Sequence, residues 1–170
     1  MELQTERLLL HPVDLELLDA AGADDRAAIE KLGYKTNGEW PGTDYREALP
    51  YFRQELIKNR GTRGFDGWIF IDKSSREILG GIGFVGAPDA SGRIEIGFAT
   101  NPSQQRKGYC FEAAKALLGW AVEQPLVNHI LASCERDNAA SAKLLEKLGF
   151  APTVSYDDLL HWRYAANGFR

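Results

Sequence analysis

Between residues 68 and 99 the chain changes period, and this change limits the fold more than any other feature of the sequence. Three runs, residues 68–72, 78–85 and 93–99, are rich in Ile, Phe, Val and Trp and read as strands. They are joined by Lys73-Ser74-Ser75 and by Pro88-Asp89-Ala90-Ser91-Gly92. Such links are too short for a crossover, so the three strands must be antiparallel neighbours.

On either side the pattern differs. Residues 7–11 read as a strand stopped by Pro12, followed by a helix over 15–21 that Asp14 caps and Gly22 ends. Asp24 or Asp25 opens a second short helix, and Asp44 caps a longer one over 45–59 that Gly61 closes. After the three strands comes a loop, 100–107, then a helix over 108–123. That helix aligns Phe111, Ala114, Leu117, Leu118 and Ala121 on one face, and Pro125 ends it. Residues 129–134 form a strand. Asp137-Asn138 opens a helix with a stripe of Leu144, Leu145 and Leu148, stopped by Gly149. A last pair of strands, 153–156 and 160–165, turns at Asp157-Asp158. The expected architecture is one mixed α+β domain over residues 1–170, with a strand–helix–strand crossover in its second half.

At 170 residues and 18.9 kDa the chain can bury a core without staples. Its two cysteines, Cys110 and Cys134, form no disulfide framework and no zinc spacing. No run reaches the ~18 apolar residues of a membrane span, and the first residues lack a signal peptide's basic and apolar regions. A cytoplasmic protein with no membrane partner is expected. The net charge of −4 argues against a basic nucleic-acid surface. Residues 1–60 hold 12 of the 24 Asp/Glu but only 8 of the 20 Lys/Arg. This excess either solvates helix faces or raises the local concentration of a cationic substrate around a cleft shaped by residues 12–60.

Most familiar motifs fail. Gly81-Ile82-Gly83-Phe84-Val85-Gly86 spells G-x-G-x-x-G, but Ala87-Pro88 follows where a dinucleotide site needs a helix. There is no G-x-S-x-G, H-E-x-x-H or P-loop. His11, His129 and His161 sit on or beside strands, far apart in sequence. Trp40, Trp68, Trp120 and Trp162 read mostly as core, although Trp40 lies in a loop, where an aromatic ring could line a cleft.

The second half is more informative. Gln105-Arg106-Lys107-Gly108-Tyr109-Cys110 links a strand to a long amphipathic helix, aiming backbone N–H groups, two cations and the positive helix end at one point. That is an anion site of the kind a diphosphate fills. Thirty residues on, Glu135-Arg136-Asp137-Asn138-Ala139-Ala140-Ser141 leads into a helix that finishes Leu145-Glu146-Lys147-Leu148-Gly149-Phe150. Glu95 lies on the strand entering the anion loop.

In this order and spacing, the set resembles the GNAT superfamily of acetyl-CoA-dependent N-acetyltransferases over nearly the whole chain. Gln105 and Gly108 match its pyrophosphate motif, and residues 138–150 its N-x-x-[A/S]…G-F helix. Thr5-Glu6-Arg7-Leu8-Leu9-Leu10 is similar to the first strand of the ribosomal-protein N-terminal acetyltransferase branch. The resemblance implies a mostly antiparallel sheet of six to seven strands with splayed central strands. It also implies acetyl-CoA as donor, and as acceptor an amine on a peptide N-terminus or small molecule. A homodimer is a common state among such relatives. Cofactor contacts would come from Phe98, Ala99, Gln105, Arg106, Lys107, Gly108, Tyr109, Cys110, Asn138 and Ser141.

Two departures stand out: Cys110 replaces a smaller residue, and Leu145 stands where many members carry a tyrosine acid. By resemblance Glu95 would take the ammonium proton through a water, a backbone N–H near Phe98 would hold the developing oxyanion, and Ser141 would donate to the departing sulfur. A thiol with a pKa of about 8.5 leaves with little help. The rival roles are a structural acid paired with Arg93 or Arg136 for Glu95, and a bond to its own helix backbone for Ser141. The rival function is a non-catalytic acyl-CoA-binding module of the same fold.

Overall fold

The structure, a computed structural model, describes residues 1–155 and 157–165. Its centre is one eight-stranded sheet. β1 (Leu3–Gln4) and β2 (Leu8–Pro12) lie at one edge, followed by β3 (Gly67–Asp72), β4 (Ile78–Phe84) and β5 (Arg93–Thr100). Beyond β5 stand β6 (His129–Glu135), β8 (Leu159–Tyr164) and β7 (Phe150–Pro152), in that spatial order. The short links make β3, β4 and β5 antiparallel neighbours as expected. Only β5 and β6 run parallel, because the helix between them, α4 (Tyr109–Val122), carries the chain back across the sheet.

Alternation along the strands builds two cores. Trp68, Phe70, Ile82, Phe84, Ile94 and Ile96 face α4 and α5 (Ala139–Leu148), and pack against Leu117, Leu118 and Leu145. Ile69 and Ile71 face the other way, toward α1 (Leu15–Gly22), α2 (Arg26–Lys31) and α3 (Thr43–Asn59). These three helices cover β2 to β4 on that side. Gly81 permits the close approach of α3, since a Cβ there would stand 2.3 Å from the Tyr45 ring. Burial holds the Tyr45 phenol neutral, and its hydroxyl donates to Trp68 O at 3.0 Å.

The β5–β6 ladder is short. It pairs Arg93 with His129, Ile94 with Ile130 and Glu95 with Leu131, and then stops, although both strands continue. Past that point β5 stays with β4 as far as Thr100, and β6 stays with β8 as far as Glu135. Each strand keeps to its own half of the sheet, so the two part. The splay implied by the resemblance is this fork.

Three expectations need correction. The sheet has eight strands, because the two-residue β1 joins it at the edge. The strand expected at 153–156 is instead β7, at Phe150–Pro152, directly after the left-handed Gly149 that caps α5. Phe150 drops into the core while Val154 is 84% exposed; Tyr156 lies outside the described residues. Trp40 lines no cleft: it is buried in the second core against Tyr45.

Candidate active site

A cleft of about 600 Å³ opens between the outer part of β5, the start of α4 and the start of α5. Its floor is the loop over residues 105–108. Arg106 and Gly108 both adopt left-handed backbone, at φ 62° and 80°. Glycine adopts this conformation freely, whereas Arg106 requires the surrounding structure to hold it. Gly108 occupies the cap position of α4 and offers no side chain to its N–H groups. Those groups therefore remain available, with the positive helix end, to an anion in the cleft.

Contacts distant in sequence fix this loop. Arg7 on the approach to β2 donates to Lys107 O at 3.0 Å, and its guanidinium lies 4.5 Å from the centre of the Tyr109 ring. Glu112, one turn into α4, accepts from Arg7 Nε at 2.7 Å, from Arg7 N at 2.8 Å and from Thr5 Oγ1. On the other side Glu39 accepts from the Ser103 hydroxyl at 2.7 Å, tying the α2–α3 loop to the turn before residue 105. That Ser103 bond leads the interactions that hold the Glu39 carboxyl below its ordinary range.

The far wall is α5. Asn138 caps it, accepting from Ser141 N at 3.0 Å through Oδ1, so its amide NH2 is left for the cleft. Ser141 and Leu144 line the wall, and the Lys147 ammonium sits 4.3 Å from the centre of the Phe111 ring. Leu144 is thus half-buried cleft surface rather than core, while Leu145 is fully buried. Cys110 also faces this space. Burial pushes its thiol up to about 11, with a hydrogen bond to Thr100 acting the other way, so it stays protonated at neutral pH.

At the fork itself, Val85 N donates to Glu95 O and Asn101 N to Leu79 O. These odd-numbered residues of β5 bond to β4, and the alternation of an antiparallel ladder turns the Phe98 N–H to the other side, into the fork. Glu95 lies on the opposite sheet face from Phe98, half-buried, where no helix covers β5, β6 and β8. Its carboxylate accepts from Ser133 Oγ at 2.7 Å. Neither arginine proposed as its structural partner reaches it: Arg93 pairs with Asp89 at 3.0 Å, and Arg136 donates to Asp157 O.

Of the ten residues expected to contact a cofactor, the structure brings eight to the cleft: Phe98, Gln105, Arg106, Gly108, Tyr109, Cys110, Asn138 and Ser141. Ala99 and Lys107 do not line it. Strand alternation turns Ala99 to the other face from Phe98, and Lys107 Nζ donates to Gln104 Oε1 at 2.9 Å. Sequence reasoning missed Thr100, Gln104, Phe111, Ala140, Leu144 and Lys147 as lining.

A second cavity, of about 750 Å³, is lined by residues 11–16, Tyr34 and the end of α3. Pro12, Trp68, Ile82 and Phe98 pair in succession across the sheet, which sets this cavity roughly 14 Å, three strand spacings, from β5. Asp14 and Glu16 are its acidic lining, and several acids of residues 12–60 are in structural use. Asp14 and Asp25 cap α1 and α2, while Asp19 and Asp24 pair with Arg53 and Arg46. Among the described residues no cluster of metal-ligating side chains occurs, and no helix is long and apolar enough to cross a membrane.

These features have counterparts in known proteins. Residues 7–151 match the family described as Acetyltransferase (GNAT) domain. The chain is 55% identical over 162 residues to YjdG of Bacillus subtilis, an uncharacterized N-acetyltransferase, covering 95% of this chain and 96% of that one. The fold is shared with ribosomal-protein-S5-alanine acetyltransferase from Vibrio fischeri, at TM-score 0.69 and 15% identity over 100% and 99% of the two chains. It is also shared with RimL, a ribosomal L7/L12 alpha-N-protein acetyltransferase in complex with coenzyme A, at TM-score 0.68 and 16% identity over 96% and 97%. With the forked sheet, the open helix start and this similarity over nearly its full length, the chain belongs to the GNAT family of N-acetyltransferases.

Proposed function

We propose that the protein moves the acetyl group of acetyl-CoA directly to a primary amine, on a protein N-terminus or a small molecule, with Glu95 as the base. The observation that carries this reading is Glu95 itself: a half-buried carboxylate beside the fork, on the uncovered sheet face, bonded to a serine and to no cation among the described residues. A structural acid at that depth would be expected to carry an ion-pair partner.

The residues present fit the donor. The open N–H groups at Gly108 and the Arg106 side chain suit its diphosphate, and the fork admits its amide-bearing arm as an added strand edge. Bound there, acetyl-CoA supplies a thioester whose sulfur is a good leaving group. Glu95 takes the proton that frees the amine lone pair. The new N–C bond forms as the C–S bond breaks, and the Phe98 N–H stabilises the charge collecting on the carbonyl oxygen. Ser141 donates to the departing sulfur. The activities of the two ribosomal-protein acetyltransferases that share the fold support a protein N-terminus as one acceptor class.

Glu95→Gln tests the assignment. It should lower kcat/KM by roughly 10²–10⁴-fold near neutral pH, with partial recovery at high pH as free amine accumulates. Lost thermal stability without that recovery would mean a structural acid instead.

A further inference from the structure

The Ser133–Glu95 hydrogen bond crosses the sheet where the sheet has already come apart. The last laddered pair is Glu95 with Leu131, and Ser133 lies two residues farther along β6, roughly 6.6 Å beyond it. To meet Ser133 Oγ at 2.7 Å, the Glu95 side chain must lean along the strand toward the opening. Residues Ile130, Ala132 and Cys134 are buried on the helix-covered face, and alternation places Ser133 between them on the face of Glu95. The basic groups on this face are engaged elsewhere, Arg93 with Asp89, Arg163 with His129, and His161, opposite Ser133 in the register, with Asp157. Ser133 is therefore the one side-chain partner of this carboxylate among the described residues.

We propose that Ser133 is the positioning residue of the transfer reaction. Its hydroxyl has one hydrogen to donate and gives it to Oε1, which fixes the carboxylate plane and leaves Oε2 for the proton of the incoming amine. Without it, nothing in the fork stops Glu95 from rotating out to solvent. The inference rests on Glu95 being the base, and it assigns to a residue of this chain the task of aiming it.

The alternative is a staple that merely holds two strands together. Thiol-release kinetics on Ser133→Ala, Ser133→Thr, Glu95→Gln and the double variant Ser133→Ala/Glu95→Gln separate the two, with melting temperature measured for each. Ser133→Ala should lower kcat by about tenfold, with the KM for acetyl-CoA changed less than about twofold. Ser133→Thr keeps the hydroxyl on a strand-compatible side chain and should restore most of the rate. The double variant should be no slower than Glu95→Gln alone, because the serine acts only through the carboxylate. A wild-type kcat in Ser133→Ala, or losses that multiply in the double variant, would overturn the positioning role while leaving Glu95 as base. A wild-type rate in Glu95→Gln would overturn the base assignment, and the inference with it.

Discussion

Glu112 gathers Thr5 Oγ1, Arg7 N and Arg7 Nε onto one carboxylate and so joins the β1–β2 link to α4. Burial alone would raise its pKa, but these donors outweigh burial and hold the carboxyl below its ordinary 4.5. A folded pKa below the unfolded one gives stability that is complete above about 4.5 and is lost as pH falls through the folded value. Glu112→Gln should therefore cost on the order of 1–2 kcal/mol at pH 7. Denaturant titrations should show the gap to wild type closing as pH drops below about 4.5; a gap constant down to pH 3 would contradict this account. The Arg7–Glu112 pair was not legible in the sequence: Arg7 sits in the first-strand motif, but 105 residues separate it from Glu112, which sits in none. Glu95 was legible, because a carboxylate between Ile94 and Ile96 on a strand needs a reason to be there. Ser133 carried only half a signal. Its alternation with Ala132 and Cys134 gives its face, but the register that brings it to Glu95 belongs to tertiary structure.

On the proposed reading, cofactor affinity depends on the loop over residues 105–108 with the first turn of α4. The sequence reading gave the anion site both Arg106 and Lys107; Arg106 lines the cleft, whereas the Lys107 ammonium donates to Gln104. Acetyl-CoA at about 100 times its Kd should stabilise the wild type by roughly 2.7 kcal/mol, or on the order of 5–10 °C in Tm. Arg106→Glu should remove most of that shift, and Lys107→Glu distinctly less. Equal shifts in wild type and Arg106→Glu would displace the diphosphate from this loop. Some caps were readable: Asp14, Asp25 and Asn138 each accept a backbone N–H at the start of a helix, whereas α3 begins at Thr43 behind Gly42 and holds the expected cap Asp44 inside its first turn. Short ones were not. β1 is two residues held by its neighbour, and β7 is set by the left-handed turn at Gly149 rather than by strand propensity, which pointed to the exposed Val154.

At the scale of the molecule, function follows from a sheet that is continuous in order and divided in pairing. β5 remains with the N-terminal half and β6 with the C-terminal half, so the gap between them is built from backbone that would otherwise be laddered. The Phe98 N–H, the Glu95 carboxylate and the open start of α4 converge on that gap from three directions. The order of elements made the crossover legible, while the length of the β5–β6 ladder, which decides where the gap opens, depends on how two half-sheets twist apart. The forked sheet is proposed to support chemical turnover at this gap. Coenzyme A thiol release, measured against acetylated product by intact mass over a panel of peptides and small amines, tests it most directly. One thiol should be released per amine acetylated for at least one acceptor, with both signals falling together in Glu95→Gln. Saturable acetyl-CoA binding with no thiol released above the amine-free rate, for any member of the panel, would contradict it and leave a non-catalytic acyl-CoA-binding module.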